Sequence, residues 1–159
     1  MPEEIPAAAI HAALLELWDE MLGQAGPGSD HHVLDPDAGW AATLAAVDAA
    51  TASRPIAPGG TSIAGQTAHV ARSLAYLEER LDGHEPDVDW SASFLPAEVD
   101  TLEWDRRRER LFEVADRVGS RLRGDPSWPH HQLLRIMSHV VHLAYHLGAV
   151  RQMLRAVRG

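Results

Sequence analysis

The longest helical periodicity in the chain runs from about Pro129 to Val157, where Leu133, Met137, Val140, Ala144, Leu147 and Leu154 fall on one stripe. A stripe of that length is too long for a strand and needs other helices to cover it. The rest of the chain supplies them. Ile10, Leu14, Leu17, Trp18 and Met21 repeat at helical spacing between about Pro6 and Gln24, and Gly23 to Gly28 ends the pattern. Asp35-Pro36-Asp37 reads as a helix start, with an acid at the N-cap and proline at the first turn, followed by one alanine-rich helix to about Ala52. Thr61 or Ser62 caps a third pattern, in which Ile63, Thr67, Val70, Leu74, Leu77 and Leu81 form a bundle seam ending at Asp82-Gly83. Residues 84 to 99 read as an ordered, non-helical connection anchored by Trp90 and Phe94. Asp100-Thr-Leu-Glu103 has capping-box spacing, and the helix it opens buries Leu111, Val114, Ala115, Val118 and Leu122 before the break at Gly124-Asp-Pro126.

No stretch alternates with period two and no internal repeat is present, so the 159 residues are expected to form one all-α domain over 1–159. Its architecture is expected to be an up-and-down-type four-helix bundle. One extra short helix and a long connection between the second and third long helices complete it. Charge divides unevenly. Met1–Asp105 carries 19 acidic and 3 basic residues, and Arg106–Gly159 carries 4 acidic and 11 basic. Because the arginines interleave with a helical apolar pattern and the net charge is −9, this reads as acidic helices packed against basic ones, with no nucleic-acid partner. The N-terminus lacks the basic segment of a secretory signal, and no apolar run approaches the ~20 residues of a membrane span. A soluble, cytoplasmic protein that does not engage membranes is therefore expected, and the alanine content allows a homodimer through an exposed helix face.

Chemistry concentrates in Ser138-His-Val-Val-His-Leu-Ala-Tyr-His-Leu-Gly-Ala-Val-Arg151. His142 and His146, four apart, stand one above the other on a helix and can converge on one metal ion. His139 lies one turn earlier and reads as a neighbour of such a site. Two ligands do not hold an ion firmly, so a third must come from another helix. His69 is the candidate, although it lies about 120° from the Val70/Leu74/Leu77 seam, which leaves a groove position and a solvent-facing flank both open. With no cysteine, thiolate ligands and a cysteine nucleophile are excluded. The adjacent pairs His31-His32 and His130-His131 diverge on any backbone and read as exposed. Tyr145 and Tyr76 are near in sequence to the histidines, and Gly148 reads as a position for close helix packing.

The closing His142-x-x-x-His146 followed by Leu-Gly-Ala-Val-Arg151, together with Gly60-Thr-Ser-Ile-Ala-Gly-Gln-Thr-Ala-His69-Val, resembles the DinB/YfiT-like metal-binding four-helix bundles. Helix count, order and the long second connection agree over nearly the whole chain. The resemblance implies His69, His142 and His146 as the ligands of a metal ion, and zinc or nickel fits such nitrogen ligands. Leu147 and Ala149 depart from it, because many members have Arg and Gln there. It also implies a metal-dependent S-transferase or related detoxification enzyme using a low-molecular-weight thiol, with a small molecule as partner. The alternatives are a non-catalytic metal- or ligand-binding bundle in a stress response and a metal-dependent hydrolase. Any thiol must be brought by a cofactor or substrate, since the chain has none of its own.

Overall fold

A computed structural model describes residues 5–26, 28–124 and 127–159. Pro27, Asp125 and Pro126, which belong to the two predicted breaks, lie outside the described residues, as does the segment 1–4. Among the described residues six α-helices follow one another: α1 (Ala7–Leu22), α2 (Trp40–Ala45), α3 (Ala49–Ala52), α4 (Ile63–Leu81), α5 (Thr101–Gly124) and α6 (His130–Arg158). A 3-10 turn at Ala92–Phe94 sits between α4 and α5, and no strand occurs among the described residues. The protein is an all-α helical bundle of four long helices, α1, α4, α5 and α6.

Side-chain partners fix how the long helices run. Ala64 meets Arg107, and Glu78 meets Arg117, so α4 and α5 are parallel. Gln66 meets His146 and Ser73 meets His142, so α4 and α6 are antiparallel. His11 bonds the Leu122 carbonyl and Gln24 bonds Asp116, which makes α1 and α5 antiparallel. The directions in chain order are therefore up, down, down, up, which departs from the strict alternation of the expected up-and-down-type bundle. The long connection from Asp82 to Asp100 is what permits two consecutive helices to run the same way, and it carries the 3-10 turn back along α4.

The seam expected on α4 is buried at every position, with Ile63, Thr67, Val70 and Leu77 at 0 % exposure. Ser62 is its cap: the hydroxyl accepts from the Gly65 amide at 3.1 Å and donates to the Ala97 carbonyl. On α5 all five expected residues are fully buried, and Asp100 accepts the Glu103 amide at 2.8 Å. The return half of that capping box is replaced, because the Glu103 carboxylate takes Arg107 Nε at 3.0 Å.

Three further expectations are corrected. The alanine-rich stretch is two short helices and not one. Pro36-Asp37 forms a turn, with Asp37 at φ 57°, and α2 starts only at Trp40. A second start follows at Asp48, whose carboxylate accepts from the Thr51 amide at 2.7 Å and so caps α3 separately. On α6 the buried face is Ile136, Val140, Leu143, Leu147, Val150, Met153 and Val157, whereas Met137 is 47 % exposed. At about 100° per residue the true face is turned by roughly 70° from the stripe read in the sequence. Finally, Gly148 is exposed, and a Cβ there would meet nothing within 4 Å, so it serves no close packing. The close approach lies elsewhere: Gly23 ends α1 at φ 79°, and a Cβ on Gly39 would stand 2.6 Å from its amide nitrogen.

Acidic and basic halves meet as expected. Arg117 grips Glu78 with two bonds at 2.8 and 2.9 Å, Arg121 pairs with Asp82, and Arg123 pairs with Asp19. No helix among the described residues is long and apolar enough to cross a membrane.

Candidate metal centre

Rotation of α6 changes what its histidines face. Relative to the true buried face, His139 and His146 stand only about 40–60° from its middle and His142 about 100°. His146 is accordingly buried and His142 half-buried, both directed at α4. His69 answers from α4 at 7 % exposure, which closes the solvent-facing alternative. The sequence wheel left that option open because it considered α4 against one seam. In the fold α4 is covered by α5, by α6 and by the 3-10 turn, and His69 lies under the turn.

The three rings converge through the same atom. His142 Nε2 is 2.9 Å from His146 Nε2 and 3.3 Å from His69 Nε2, and the three candidate ligand atoms all lie within 4.8 Å of one another. For comparison, nitrogens around a tetrahedral zinc ion at its usual bond lengths stand about 3.3 Å apart. Among the described residues no carboxylate joins the group.

Hydrogen-bond accounting shows what these nitrogens offer. Ser93 has one hydroxyl hydrogen, which goes to the Trp90 carbonyl at 2.6 Å. Its oxygen must therefore accept from His69 Nδ1–H at 2.7 Å, which leaves His69 Nε2 with a bare lone pair. His146 Nδ1–H donates to Gln66 Oε1 in the same way, leaving its Nε2 bare. His142 Nδ1 faces the Ser73 hydroxyl at 3.3 Å. At most one hydrogen, on His142 Nε2, is available to the two Nε2 contacts. At least one lone pair is thus left without a protein donor in one small, largely buried space, an arrangement that costs free energy unless a cation or a water meets it. The donor set fits a divalent transition ion. Each outer nitrogen is held by a partner that fixes ring orientation and tautomer, the usual support of histidine ligands.

Burial keeps the rings neutral. It is the main reason that His142 is pushed down to about 4, with His69 and His139 nearby adding to the effect. The same burial, then His142 and His69, pushes His146 down to about 3, and burial lowers His69 too. Protons therefore do not compete for these nitrogens near neutrality.

The walls are aromatic. Phe94 stacks on the His69 ring, with centroids 4.0 Å apart and planes within 8°. Trp90 meets His69 edge-on at 5.8 Å and Tyr76 at 5.2 Å. These two residues of the connection were expected to be simple anchors; they form the roof of the site instead. The turn can settle there because of Gly65, where a Cβ would come within 2.7 Å of the Phe94 carbonyl oxygen. Tyr145 is 71 % exposed and touches His146 ring to ring at 5.0 Å.

His139 stays outside. Its Nδ1 bonds the Arg135 carbonyl at 2.8 Å, and its ring is 6.2 Å from that of His142. His130 and His131 are exposed at the start of α6, as expected. His31 and His32 are also exposed, beside Glu20 and Glu16. Leu147, at one of the two positions that depart from the resemblance, is a fully buried core residue. Sequence reasoning missed Gln66, Ser73 and Ser93. The first two had a signal, lying three before and four after His69 on the same helical face. Ser93 had none, since only the fold brings the turn to α4.

Comparison with protein-family models, curated proteins and solved structures finds no match to this chain. The resemblance to the DinB/YfiT-like bundles thus stands on the histidine spacing and helix order alone.

Proposed function

We propose that the chain holds one zinc or nickel ion on His69, His142 and His146 and uses it on a low-molecular-weight thiol, as a metal-dependent S-transferase of the DinB/YfiT-like kind. The observation that carries this reading is the convergence of three neutral imidazole nitrogens with their other nitrogens already engaged.

A bound divalent ion supplies Lewis acidity, which favours the deprotonated form of a thiol or water brought to it. The protein's own residues account for the rest. Three neutral ligands leave the positive charge of such an ion uncompensated, and this donor set favours an anion as the next ligand. With no cysteine in the chain, a thiolate in that position comes from outside it. Gln66, Ser93 and Ser73 hold the rings in place, while Phe94 and Trp90 keep water from the His69 side. His142, the half-buried member, and exposed Tyr145 mark the side from which a small molecule enters. A cytoplasmic setting, where low-molecular-weight thiols are abundant and reduced, suits this use.

The test is conjugation of glutathione, bacillithiol or mycothiol to a panel of electrophiles by zinc- or nickel-loaded protein. Wild type should turn over with at least one thiol, and His142→Ala should lose about two orders of magnitude of that rate. A metal-loaded wild type inactive across the panel would leave a non-catalytic metal-binding bundle as the reading.

A further inference from the structure

A concave site lies on the opposite side of the Phe94–Pro96 segment from the histidines, between α4 and α5, with a volume of about 500 Å³. That volume is within the ordinary range for small-molecule sites. Its floor is apolar, made by Ala68, Ala71 and Ala75 of α4, and Leu95 and Pro96 form one wall. Four arginines and two glutamates supply its charge. Arg72 is tied to Glu79 at 2.7 Å. Arg107 is tied to Glu103 at 3.0 Å and, through Nη1, to the carbonyls of Ala64 and Pro96 at 3.0 and 2.9 Å. Each glutamate thus neutralises one arginine. Arg106 and Arg110, one turn apart on α5, remain; among the described residues neither has an ion pair or hydrogen bond.

Two free guanidinium groups over an apolar floor match a particular ligand chemistry. The planar fork of arginine binds carboxylate or phosphate oxygens in pairs, and the alanines offer contact to an uncharged body. Buried Arg107, at 7 % exposure, links α4, α5 and the Pro96 wall, so the groove has a fixed base. We infer that this groove binds a small amphipathic oxyanion, a carboxylate or phosphate monoester carrying a short apolar group, with Arg106 and Arg110 on its head and Ala68, Ala71 and Ala75 under its tail. The site is separate from the histidine centre, which shares with it only the connecting segment: Phe94 faces His69, and the next two residues face the groove.

Titration calorimetry on the zinc-loaded full chain tests this with hexanoate, hexyl phosphate, inorganic phosphate and hexanol. Hexanoate or hexyl phosphate should bind saturably at one site per chain, and the tighter of the two identifies the head group. Inorganic phosphate and hexanol should each bind at least about tenfold more weakly. Arg106→Ala/Arg110→Ala, which removes exposed and unpartnered side chains, should weaken binding by about tenfold or more at an unchanged melting temperature. Ala68→Leu, which fills the floor and keeps both arginines, should weaken it as well. The inference is overturned if neither amphiphile saturates, if the arginine pair can be removed without effect, or if hexanol binds as well as hexanoate. It is also overturned if binding disappears in His142→Ala, because the oxyanion would then be a ligand of the metal centre.

Discussion

Gln66 is the residue on which the metal reading is most exposed to test after the ligands themselves. Its carbonyl oxygen fixes the tautomer of His146 without touching any ion, so it acts purely as a positioning group. Gln66→Ala should keep the fold yet lower zinc affinity about 10- to 100-fold, read by competition with a chromophoric chelator. An unchanged affinity would show that Gln66 does not position His146 for an ion. The histidines also set a pH dependence. His142 and His146 have pKa values depressed to about 4 and 3 in the fold, while in the unfolded chain they take up protons near 6.5. The unfolded state therefore binds more protons as pH drops below about 6.5, and metal-free protein loses stability progressively from there towards pH 3. Glu20 adds the same sign lower down. Burial would raise its pKa, but the amides of Leu34, Val33 and His32 outweigh it and hold the carboxylate below its usual value. Its stabilisation is present above about 4.5 and is lost as pH falls. Denaturant titrations of wild type and His142→Ala/His146→Ala at pH 7 and pH 5 separate the two. The wild type should lose more stability than the variant over that interval, and an equal loss would contradict the assignment.

At the scale of the elements, α4 and α5 were legible almost residue by residue, because each has one broad apolar face and clear caps at Ser62 and Asp100. The face of α6 was misread by roughly 70° because apolar residues surround it: Leu134, Met137 and Val141 are exposed, while Ile136 and Leu143 are in the core. A helix with apolar residues on every side gives no phase from composition alone, and only its neighbours decide which side is covered. The error hid the histidines' true position beside the core. Leu143→Ala should accordingly cost about 2–5 kcal/mol in denaturant unfolding, whereas Met137→Ala should stay within about 0.5 kcal/mol. The reverse order would restore the stripe read from the sequence. The roof over His69 could not be read at all, since Phe94 and Trp90 reach it through a connection whose path depends on Gly65. Gly65→Ala should displace that connection and reduce the protection of His69 from solvent, which hydrogen exchange and zinc affinity both report.

For the whole molecule, the up-down-down-up course of the four long helices makes the crossover from Asp82 to Asp100 a structural member and brings Ser93 to the site. The uneven charge of the chain was correctly legible as contact between halves, seen in Arg117–Glu78, Arg121–Asp82 and Arg123–Asp19. The ligand set joins α4 to α6, so an ion there binds the folded bundle and not the unfolded chain. Saturating metal should raise the melting temperature, and chelation should reverse the change. Metal analysis of purified and zinc- or nickel-reconstituted protein, with cobalt substitution to report the ligands, tests the central claim most directly. One divalent ion per chain, with a cobalt spectrum of nitrogen ligation that is lost in His69→Ala, His142→Ala and His146→Ala, is the predicted result. Protein that holds no metal after reconstitution, or that keeps its ion when those three histidines are replaced together, would contradict it.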